Sequence, residues 1–289
     1  MKGMTRFFAL LLILIIPAGC TNMQLQDAFI SEAGLIVTRD VAYGPEARHR
    51  LDIYRPESGP VKGTIVFVYG GSWTSGDKRL YKFMGVALAN AGYVFVVPDY
   101  RYFPEVRFPG FVKDAARALA WVNTHIGAYG GQGTGFALMG HSAGAHIGAL
   151  LLLDPAWLGA HGLSPAVIGA YVGLAGPYTF NPLEMASTQP IFETAPDIER
   201  VRPIKLVAEA ARRGLPPMLL LHGSTDTTVN KRATEMFAEA LRDAGVQVET
   251  HIYPRLAHIG VISSMVWALR WRAPVLSDVV AFLSHHAAS

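Results

Sequence analysis

The sequence predicts an α/β fold, in which a mostly parallel central sheet has helices on both faces and an antiparallel hairpin at its N-terminal edge. Apolar runs of strand length alternate with helix-length segments from residue 64 onward, which is typical of parallel strands buried on both faces. The chain has 289 residues, of which 51% are hydrophobic and 16% charged, so it can bury a large core. Because no internal repeat or break in composition divides it, we predict one domain over residues 25–289.

The predicted hairpin opens this domain. Residues 34–41 and 48–54 each show partial alternation of apolar and polar side chains, as expected for strands with one solvent-facing side. Tyr43-Gly44-Pro45 between them is a turn signal. Two adjacent strands joined by so short a connection pair antiparallel, and we expect them at an edge of the sheet.

The remaining elements follow in alternation. Strands are predicted at residues 64–69, 93–97, 136–140, 167–174, 218–222 and 246–253. Helices are predicted at residues 80–91, 111–126, 143–153, 231–244 and 274–285. Residues 176–215 fit the alternation least well because they are rich in proline. We predict an irregular excursion there, with a short helix at residues 203–213.

The first twenty residues indicate a targeting segment. Lys2 and Arg6 precede an apolar run, residues 7–16, whose length matches a signal-peptide core and is too short to span a bilayer comfortably. The following Pro-Ala-Gly-Cys resembles the lipobox of bacterial lipoproteins, with proline where that motif usually has leucine. We therefore predict a signal peptide over residues 1–20 and export, as a lipoprotein facing the periplasm or as a periplasmic or secreted protein.

Cys20 is the only cysteine of the chain. An intrachain disulfide is therefore excluded, and so are a cysteine nucleophile and a thiolate metal cluster in the folded domain. A single cysteine directly after an apolar run is explained more easily by lipidation than by packing. An ordinary secretory signal cut nearby and an uncleaved anchor are the alternatives for this segment.

The charge balance limits the classes of partner. The formal net charge is only +3, and Lys and Arg form no dense run. We therefore expect no nucleic-acid partner. Contact with a membrane is expected only through the N-terminal lipid anchor, and the sequence leaves the oligomeric state open.

A glycine–serine motif separates a strand from a helix in the middle of the chain. Gly140-x-Ser142-x-Gly144 lies between the predicted strand 136–140 and the predicted helix 143–153. This is the pattern of a nucleophile elbow in the context that it requires. A serine at so sharp a turn has a strained backbone, and the two glycines leave room for neighbouring elements. The competing interpretation is a glycine-rich turn with a solvated serine.

A serine hydroxyl becomes a nucleophile when a base, usually His, takes its proton and a carboxylate orients that base. Asp226 and His258 each follow a predicted strand, as Ser142 does, and the ends of parallel strands meet at one edge of a sheet. Asp226 could instead be a turn residue or a helix cap, and His258 a surface-loop histidine. The rivals Asp243 and His251 fit less well, because they lie inside a predicted helix and a predicted strand.

The attacked carbonyl of a substrate develops negative charge and needs N–H donors close by. One donor is expected from Ala143, directly after Ser142. Another is expected from the Gly70-Gly71 loop after strand 64–69, where the missing Cβ atoms let the backbone approach a substrate. A plain Gly-Gly turn is the alternative.

Several motifs match one known superfamily. Residues 69–78, YGGSWTSGDK, are close to an HGG-x-W-x-x-GDK run, and further matches occur at residues 98–101, 104–105, 108–109 and 140–146 and in the Asp226 and His258 loops. On these residues the chain resembles the α/β-hydrolase superfamily, specifically the carboxylesterase branch related to hormone-sensitive lipase and bacterial feruloyl-esterase-like enzymes. The resemblance implies the α/β-hydrolase fold and Gly70, Gly71 and Ala143 as oxyanion donors. It also implies hydrolysis of a small-molecule ester with neither metal nor organic cofactor.

Three further residues are predicted to bind substrate. Tyr69 stands where the family has His; that His supports the loop and does not transfer the proton, so we expect catalysis to survive and the pocket to be reshaped. Trp73 is predicted to line the acyl or alcohol pocket, with core packing as the alternative. His141, next to Ser142, is a candidate lining residue and otherwise a packing residue.

The hypothesis from the sequence is a serine ester hydrolase that works through an acyl-enzyme. Ser142 attacks the ester carbonyl, His258 accepts and returns the proton, and Asp226 orients the imidazole. An amidase resembling arylformamidase is an alternative, because those relatives share the Gly-Gly-x-Trp loop. A non-catalytic binding protein on the same fold is a further alternative, although such proteins usually lose part of the triad.

Overall fold

In the computed structural model, which describes residues 30–286, eight strands form one sheet in the order β1-β2-β4-β3-β5-β6-β7-β8. The strands are β1 Leu35–Ala42, β2 Arg50–Pro56, β3 Gly63–Val68, β4 Tyr93–Pro98, β5 Phe136–His141, β6 Ile168–Leu174, β7 Met218–Gly223 and β8 Val248–Tyr253. β2 pairs antiparallel with β1 and with β4, whereas all other neighbours are parallel. The predicted fold class, with its antiparallel N-terminal hairpin at one edge, is confirmed.

Helices surround the sheet. Within residues 30–286 the α-helices are α1 Lys82–Asn90, α2 Gly110–His125, α3 Ala143–Leu153, α4 Pro155–Gly159, α5 Gln189–Phe192, α6 Pro203–Ala211, α7 Arg232–Asp243, α8 His258–Ser263 and α9 Val275–His286. Short 3-10 helices cover Lys78–Tyr81, Ile126–Tyr129, Pro165–Val167, Glu199–Val201 and Trp267–Arg272. None of the described helices is both long and apolar enough to cross a bilayer.

The centre of the sheet is fully covered. Every residue of β3, β4 and β5 is buried, as expected for parallel strands with helices on both sides. α3 is also buried along its whole length, and it begins directly after β5. The turn between β5 and α3 is therefore held between two elements of the core, which fixes the position of the residue at its apex.

Three local predictions differ from the structure. The predicted helix 80–91 divides into a 3-10 turn and α1, because the Asp77 side chain caps the turn by accepting from the N–H of Arg79. The proline-rich excursion carries two short helices, α5 and α6, and α6 ends at Ala211, earlier than predicted. His258, predicted in a loop, is the first residue of α8.

The N-terminal predictions lie outside the described residues. These are the signal peptide over residues 1–20, the lipidation of Cys20 and the domain start at residue 25. They stay predictions from the sequence alone.

Candidate active site

Ser142 sits at the apex of a sharp turn between β5 and α3. Its backbone has φ 53° and ψ −123°, a conformation that L-residues rarely adopt. A Cβ at Gly144 would overlap the carbonyl oxygen of Val68, and one at Gly140 would lie 2.5 Å from the carbonyl oxygen of Gly144. Only glycine therefore fits at these two positions. The local geometry is the strained elbow that the glycine spacing predicts.

Unpaired N–H groups surround this serine. Ala143 is the first residue of α3, so its N–H has no acceptor within the helix, and no side chain caps this end. The loop after β3 packs against the turn so closely that a Cβ on Gly70 would lie 2.9 Å from Ser142 Cβ. Among residues 30–286, the N–H groups of Gly70 and Gly71 have no hydrogen-bond acceptor. The three predicted oxyanion donors thus lie around Ser142 with free N–H groups.

His258 and Asp226 are hydrogen bonded to each other. His258 Nδ1 lies 2.7 Å from Asp226 Oδ2, and the Asp226 side chain is fully buried. The other carboxylate oxygen, Oδ1, accepts from the N–H groups of Thr228 and Val229, both at 2.9 Å. Burial by itself would raise the pKa of Asp226, but the hydrogen bonds from His222, His258 and Val229 outweigh it and hold the pKa well below its ordinary value. Asp226 is therefore ionised at neutral pH.

Ser142 and His258 line the same cavity, whose volume is about 990 Å³. Within the described part of the chain the Ser142 hydroxyl makes no hydrogen bond, and His258 Nε2 has no protein partner. Contacts between a nucleophile and its base are often long without substrate and tighten when it binds. The structure thus brings the two side chains to one cavity without joining them directly.

His222 is a second histidine on the same carboxylate; because it ends a predicted strand, the sequence predicts a structural hydrogen-bonding residue here. Its side chain is fully buried, and its Nε2 lies 3.1 Å from Asp226 Oδ2 and 2.9 Å from the Val229 carbonyl oxygen. Its Nδ1 lies 2.7 Å from the hydroxyl of Thr234. Since Nε2 faces two acceptors, it carries the proton, and Nδ1 accepts from Thr234. A sequence signal that could have found this contact is the His222-x-x-x-Asp226 spacing at a strand end.

His141 lies behind His258. The two rings are 4.7 Å apart, and His141 Nε2 lies 3.3 Å from the His258 carbonyl oxygen. Burial, followed by the proximity of His258, lowers the pKa of His141 to about 3. His141 lines the cavity, as predicted for a substrate-binding residue, and it also supports the backbone of His258 as a neutral ring.

Trp73 lines a second cavity, of about 560 Å³, that also reaches Ser142. Its indole is stacked on Phe180 at 5.3 Å and meets the edges of His146 and Phe192. Trp73 thus lines the cavity and is also packed against aromatic neighbours. Whether it binds substrate stays a prediction.

Tyr69 lies beneath the Gly70-Gly71 loop and lines neither cavity, which differs from its prediction as a substrate-binding residue. It is fully buried and stacks on Tyr100 at 4.7 Å. Its hydroxyl donates to Asp99 Oδ1 at 2.7 Å and accepts from Arg48 Nη2 at 3.0 Å. Arg48 lies just before β2 and Asp99 directly follows β4, so these two partners are far apart in the sequence. Tyr69 therefore supports the loop from below, which is the structural part of the role expected for the family's His.

The two cavities differ in chemistry on either side of Ser142. Charged side chains line the larger one: Arg39, Arg48, Asp52, Asp77, Arg79 and Lys82. The smaller one has a single charged side chain, Arg232, among apolar residues such as Trp73 and Phe180 and several Ser and Thr residues. Residues 30–286 contain no group of three or more His, Cys, Asp or Glu arranged to hold a metal ion. The arrangement provides a nucleophile, a base–carboxylate pair and backbone N–H donors between a highly charged space and one with little charge.

Family models match two adjacent parts of the chain. The BD-FAE family matches residues 51–156, and the prolyl oligopeptidase family matches residues 178–288. The first segment contains the Gly70-Gly71 loop and Ser142, and the second contains Asp226 and His258.

Curated relatives of the chain are esterases. The chain is 32% identical over 270 residues to a probable isoprenylcysteine alpha-carbonyl methylesterase of Arabidopsis thaliana, covering 84% of this chain and 63% of that protein. It is 31% identical over 225 residues to esterase LipC of Mycobacterium tuberculosis, covering 71% of this chain and 55% of that protein. The chain therefore spans less than two thirds of the length of these relatives.

Solved structures of esterases share the fold. Esterase B of Lactobacillus rhamnosis superposes with a TM-score of 0.77 at 18% identity, covering 92% of each chain. Esterase 2 of Thermogutta terrifontis superposes with a TM-score of 0.71 at 25% identity, covering 89% of this chain and 96% of that one. At such identities the likeness shows the fold. Together with the family models and the curated relatives, it shows that the chain belongs to the α/β-hydrolase superfamily, in its carboxylesterase branch.

Proposed function

We propose that this protein hydrolyses carboxylic esters through an acyl-enzyme formed on Ser142. The observation that carries the proposal is the His258–Asp226 hydrogen bond of 2.7 Å at the cavity that also holds Ser142. The names of the relatives, a methylesterase and an esterase, support ester bonds as the substrate class. Two cavities that differ in the number of charged side chains meet at Ser142, which offers different surroundings to the acyl and alcohol parts of an ester.

The first half of the proposed reaction forms the acyl-enzyme. Ser142 Oγ attacks the ester carbonyl carbon while its proton passes to His258 Nε2. The carbonyl oxygen becomes an oxyanion, which accepts hydrogen bonds from the N–H groups of Gly70, Gly71 and Ala143. The C–O bond to the alcohol then breaks, and His258 returns the proton to the leaving alkoxide, so the alcohol departs neutral.

The second half releases the acid. A water molecule gives a proton to His258 and attacks the acyl carbon, and the same N–H groups stabilise the second oxyanion. Collapse of this intermediate breaks the bond to Ser142 Oγ, which recovers its proton from His258. Asp226 stays ionised throughout, because its pKa is held low, and it stabilises the imidazolium that forms twice in each cycle.

The test is Ser142→Ala on a short-chain aryl ester. We expect kcat to fall on the order of 10⁴-fold or more, because no other group replaces the nucleophile. Ser284→Ala is the matched control, since Ser284 is exposed on α9 and lines neither cavity. A phosphonate reagent should label wild type at Ser142 and leave the alanine variant unlabelled. Native activity in Ser142→Ala would disprove the proposal.

Amide hydrolysis is the second candidate, because the prolyl oligopeptidase family model matches residues 178–288. Matched ester and amide substrates with the same acyl group separate the two activities. A higher kcat/KM for the ester supports the main proposal, and a higher kcat/KM for the amide supports the second. Both use the same groups, so Ser142→Ala abolishes either one.

For localisation we propose export with lipidation of Cys20, on the sequence motif alone. Mass spectrometry of the mature N-terminus tests this proposal. A diacylglycerol-modified Cys20 as first residue supports it, and an unmodified N-terminus elsewhere contradicts it.

A further inference from the structure

An exposed tryptophan pair stands on the segment that follows α8. The 3-10 helix Trp267–Arg272 has the sequence WALRWR, and the two tryptophans are 74% and 82% exposed. No other large apolar side chain among the described residues is as exposed as either one. Full exposure of two indoles is costly, because each leaves a large apolar area in water. Such a pair indicates a surface that is covered during function.

Positive charge accompanies the two indoles. Arg270 and Arg272 are exposed, and within residues 30–286 neither guanidinium forms an ion pair. From Leu256 to Ser277 the chain contains neither Asp nor Glu. The next acid, Asp278, is hydrogen bonded to the hydroxyl of Tyr253 at 2.6 Å. The segment therefore combines aromatic area with uncompensated positive charge.

This combination fits the surface of an anionic bilayer. Tryptophan prefers the headgroup level of a membrane, where its ring is buried and its N–H stays hydrogen bonded. Anionic headgroups attract the neighbouring arginines, and the segment has no acidic side chain that these headgroups would repel. Alternating Trp and Arg thus match a lipid surface in both polarity and charge.

The segment is joined by three residues to α8, the helix whose first turn borders the larger cavity. α8 begins with His258, and the next residue, Ile259, is 51% exposed and lines that cavity. The same helix leads on to Trp267–Arg272. Because four residue steps separate Ser263 from Trp267, a surface bound to this segment would lie within about 14 Å of the end of α8.

The start of the described chain borders the same cavity. Glu32 forms ion pairs with Arg39 and Lys82, and both of these side chains line the cavity. The sequence upstream of Ile30 contains the apolar run 7–16. The described chain thus begins beside residues that line the larger cavity.

We propose that Trp267–Arg272 docks on an anionic lipid surface and turns the larger cavity toward it. Docking itself does not require catalysis. That this orientation delivers lipid-borne esters to Ser142 rests on the proposed function. The sequence analysis expected membrane contact only through the N-terminal anchor, and this surface would be a second contact.

Tryptophan quenching tests docking without any use of activity. The full chain is added to vesicles of phosphatidylglycerol and phosphatidylcholine whose acyl chains are brominated just below the headgroups. We expect quenching of the emission, and we expect the double variant Trp267→Phe/Trp271→Phe to lose most of the quenched component. Trp121→Phe/Trp157→Phe removes as many fluorophores elsewhere and should keep it. Equal quenching in the two double variants would overturn the proposal.

Charge is tested separately. Arg270→Gln/Arg272→Gln should weaken docking of the segment on anionic vesicles by roughly fivefold for each arginine, and leave it unchanged on pure phosphatidylcholine. The control is Lys113→Gln/Arg212→Gln, which removes an exposed cation on α2 and one directly after α6, and it should dock like wild type. Equal docking of the Arg270/Arg272 variant and wild type on anionic vesicles would show that protein–lipid charge plays no part and would overturn the choice of an anionic surface.

The link to catalysis has its own readout. Trp267→Ser/Trp271→Ser should hydrolyse a soluble aryl ester at the wild-type rate and a vesicle-embedded long-chain ester several-fold more slowly. If this variant hydrolyses both substrates at the wild-type rate, the larger cavity is not oriented toward the lipid surface. If Ser142→Ala keeps its activity, the proposed function is wrong. The docking proposal does not depend on that result, because quenching tests it separately.

Discussion

Asp226→Asn tests the carboxylate on which the proposed chemistry depends. Asn has nearly the same shape but places an N–H₂ group where one oxygen was. Oδ1 accepts from two backbone N–H groups, at Thr228 and Val229, so the oxygen of Asn must stay there. The amide nitrogen therefore takes the place of Oδ2. It then faces His258 Nδ1 at 2.7 Å and His222 Nε2 at 3.1 Å, which both donate to the native carboxylate.

The two histidines respond differently to this change. His258 regains a contact by moving its proton to Nε2, but that tautomer cannot accept the proton of Ser142. We therefore expect kcat to fall about 10⁴-fold. His222 cannot change tautomer in the same way, because its Nε2 lone pair would then face the Val229 carbonyl oxygen 2.9 Å away. An unsatisfied buried group of this kind costs about 1–3 kcal/mol of stability.

The assay combines kcat and KM on a soluble aryl ester with urea unfolding of the same preparation. Asp243→Asn is the matched control, because Asp243 is the exposed acid at the end of α7 that rivals Asp226 in the sequence. It should change neither quantity. The reasoning is refuted if Asp226→Asn keeps kcat within tenfold of wild type while unfolding normally.

The stability difference between wild type and Asp226→Asn should also depend on pH. The pKa of Asp226 is lowered in the folded state, so its ionised form stabilises the fold above the unfolded-state pKa of about 4. That contribution is lost as pH falls toward the folded-state pKa, when the carboxyl group takes up a proton. We expect a constant difference above about pH 5 that narrows below about pH 4. A difference that widened on acidification would contradict the assigned direction of the pKa shift.

Three further predictions concern neighbouring residues. His222→Leu should lower kcat about tenfold with KM unchanged, because Asp226 loses one of its two side-chain donors; unchanged kcat at reduced stability would make His222 purely structural. Gly144→Ala should cost about 1–3 kcal/mol in urea unfolding, because its Cβ overlaps the Val68 carbonyl, whereas Gly127→Ala has open space and should cost nothing. Phe180→Ala enlarges the smaller cavity and should raise kcat/KM for bulky acyl esters roughly tenfold relative to acetyl esters; an unchanged ratio would remove Phe180 from the wall.

The sheet could be predicted because its central strands are buried on both faces. Such strands are continuous apolar runs in the sequence, and β3 and β5 are fully buried as their composition indicates. The edge strand β8 alternates between half-buried and exposed residues, and its start was predicted two residues too early. A strand that is buried on both faces is a continuous apolar run in the sequence, whereas a strand buried on one face shows a weaker alternation of apolar and polar residues.

Short helices were predicted less well, because tertiary contacts decide them. α8 has no side-chain cap at its start, and nothing in Leu256-Ala257-His258 signals a helix. For the exposed segment Trp267–Arg272 the sequence likewise predicts neither a helix nor a strand. α8 packs against β7, so tertiary contacts decide its conformation and the local sequence carries little information about it.

Tyr69 shows why the surroundings of the site could not be predicted. The motif places it correctly after β3, but its environment depends on Arg48 and Asp99, which belong to other parts of the chain. The triad assignment came from order and spacing alone and stays a prediction until Ser142 and Asp226 are tested. The second histidine on Asp226 was visible as a spacing, but only the fold shows that His222 reaches the same carboxylate oxygen as His258.

The electrostatics of the site follow from burial and from hydrogen bonds between distant parts of the chain, which no motif encodes. His141 is stacked near His258, and a charge on it would oppose the imidazolium that the proposed reaction forms. Because burial lowers the pKa of His141 to about 3, that ring stays neutral wherever an esterase of this kind would work. Asp226, with its lowered pKa, stays charged over the same range. The pair of shifts leaves one fixed negative charge beside His258 and no fixed positive one, which is the field that a transient imidazolium requires.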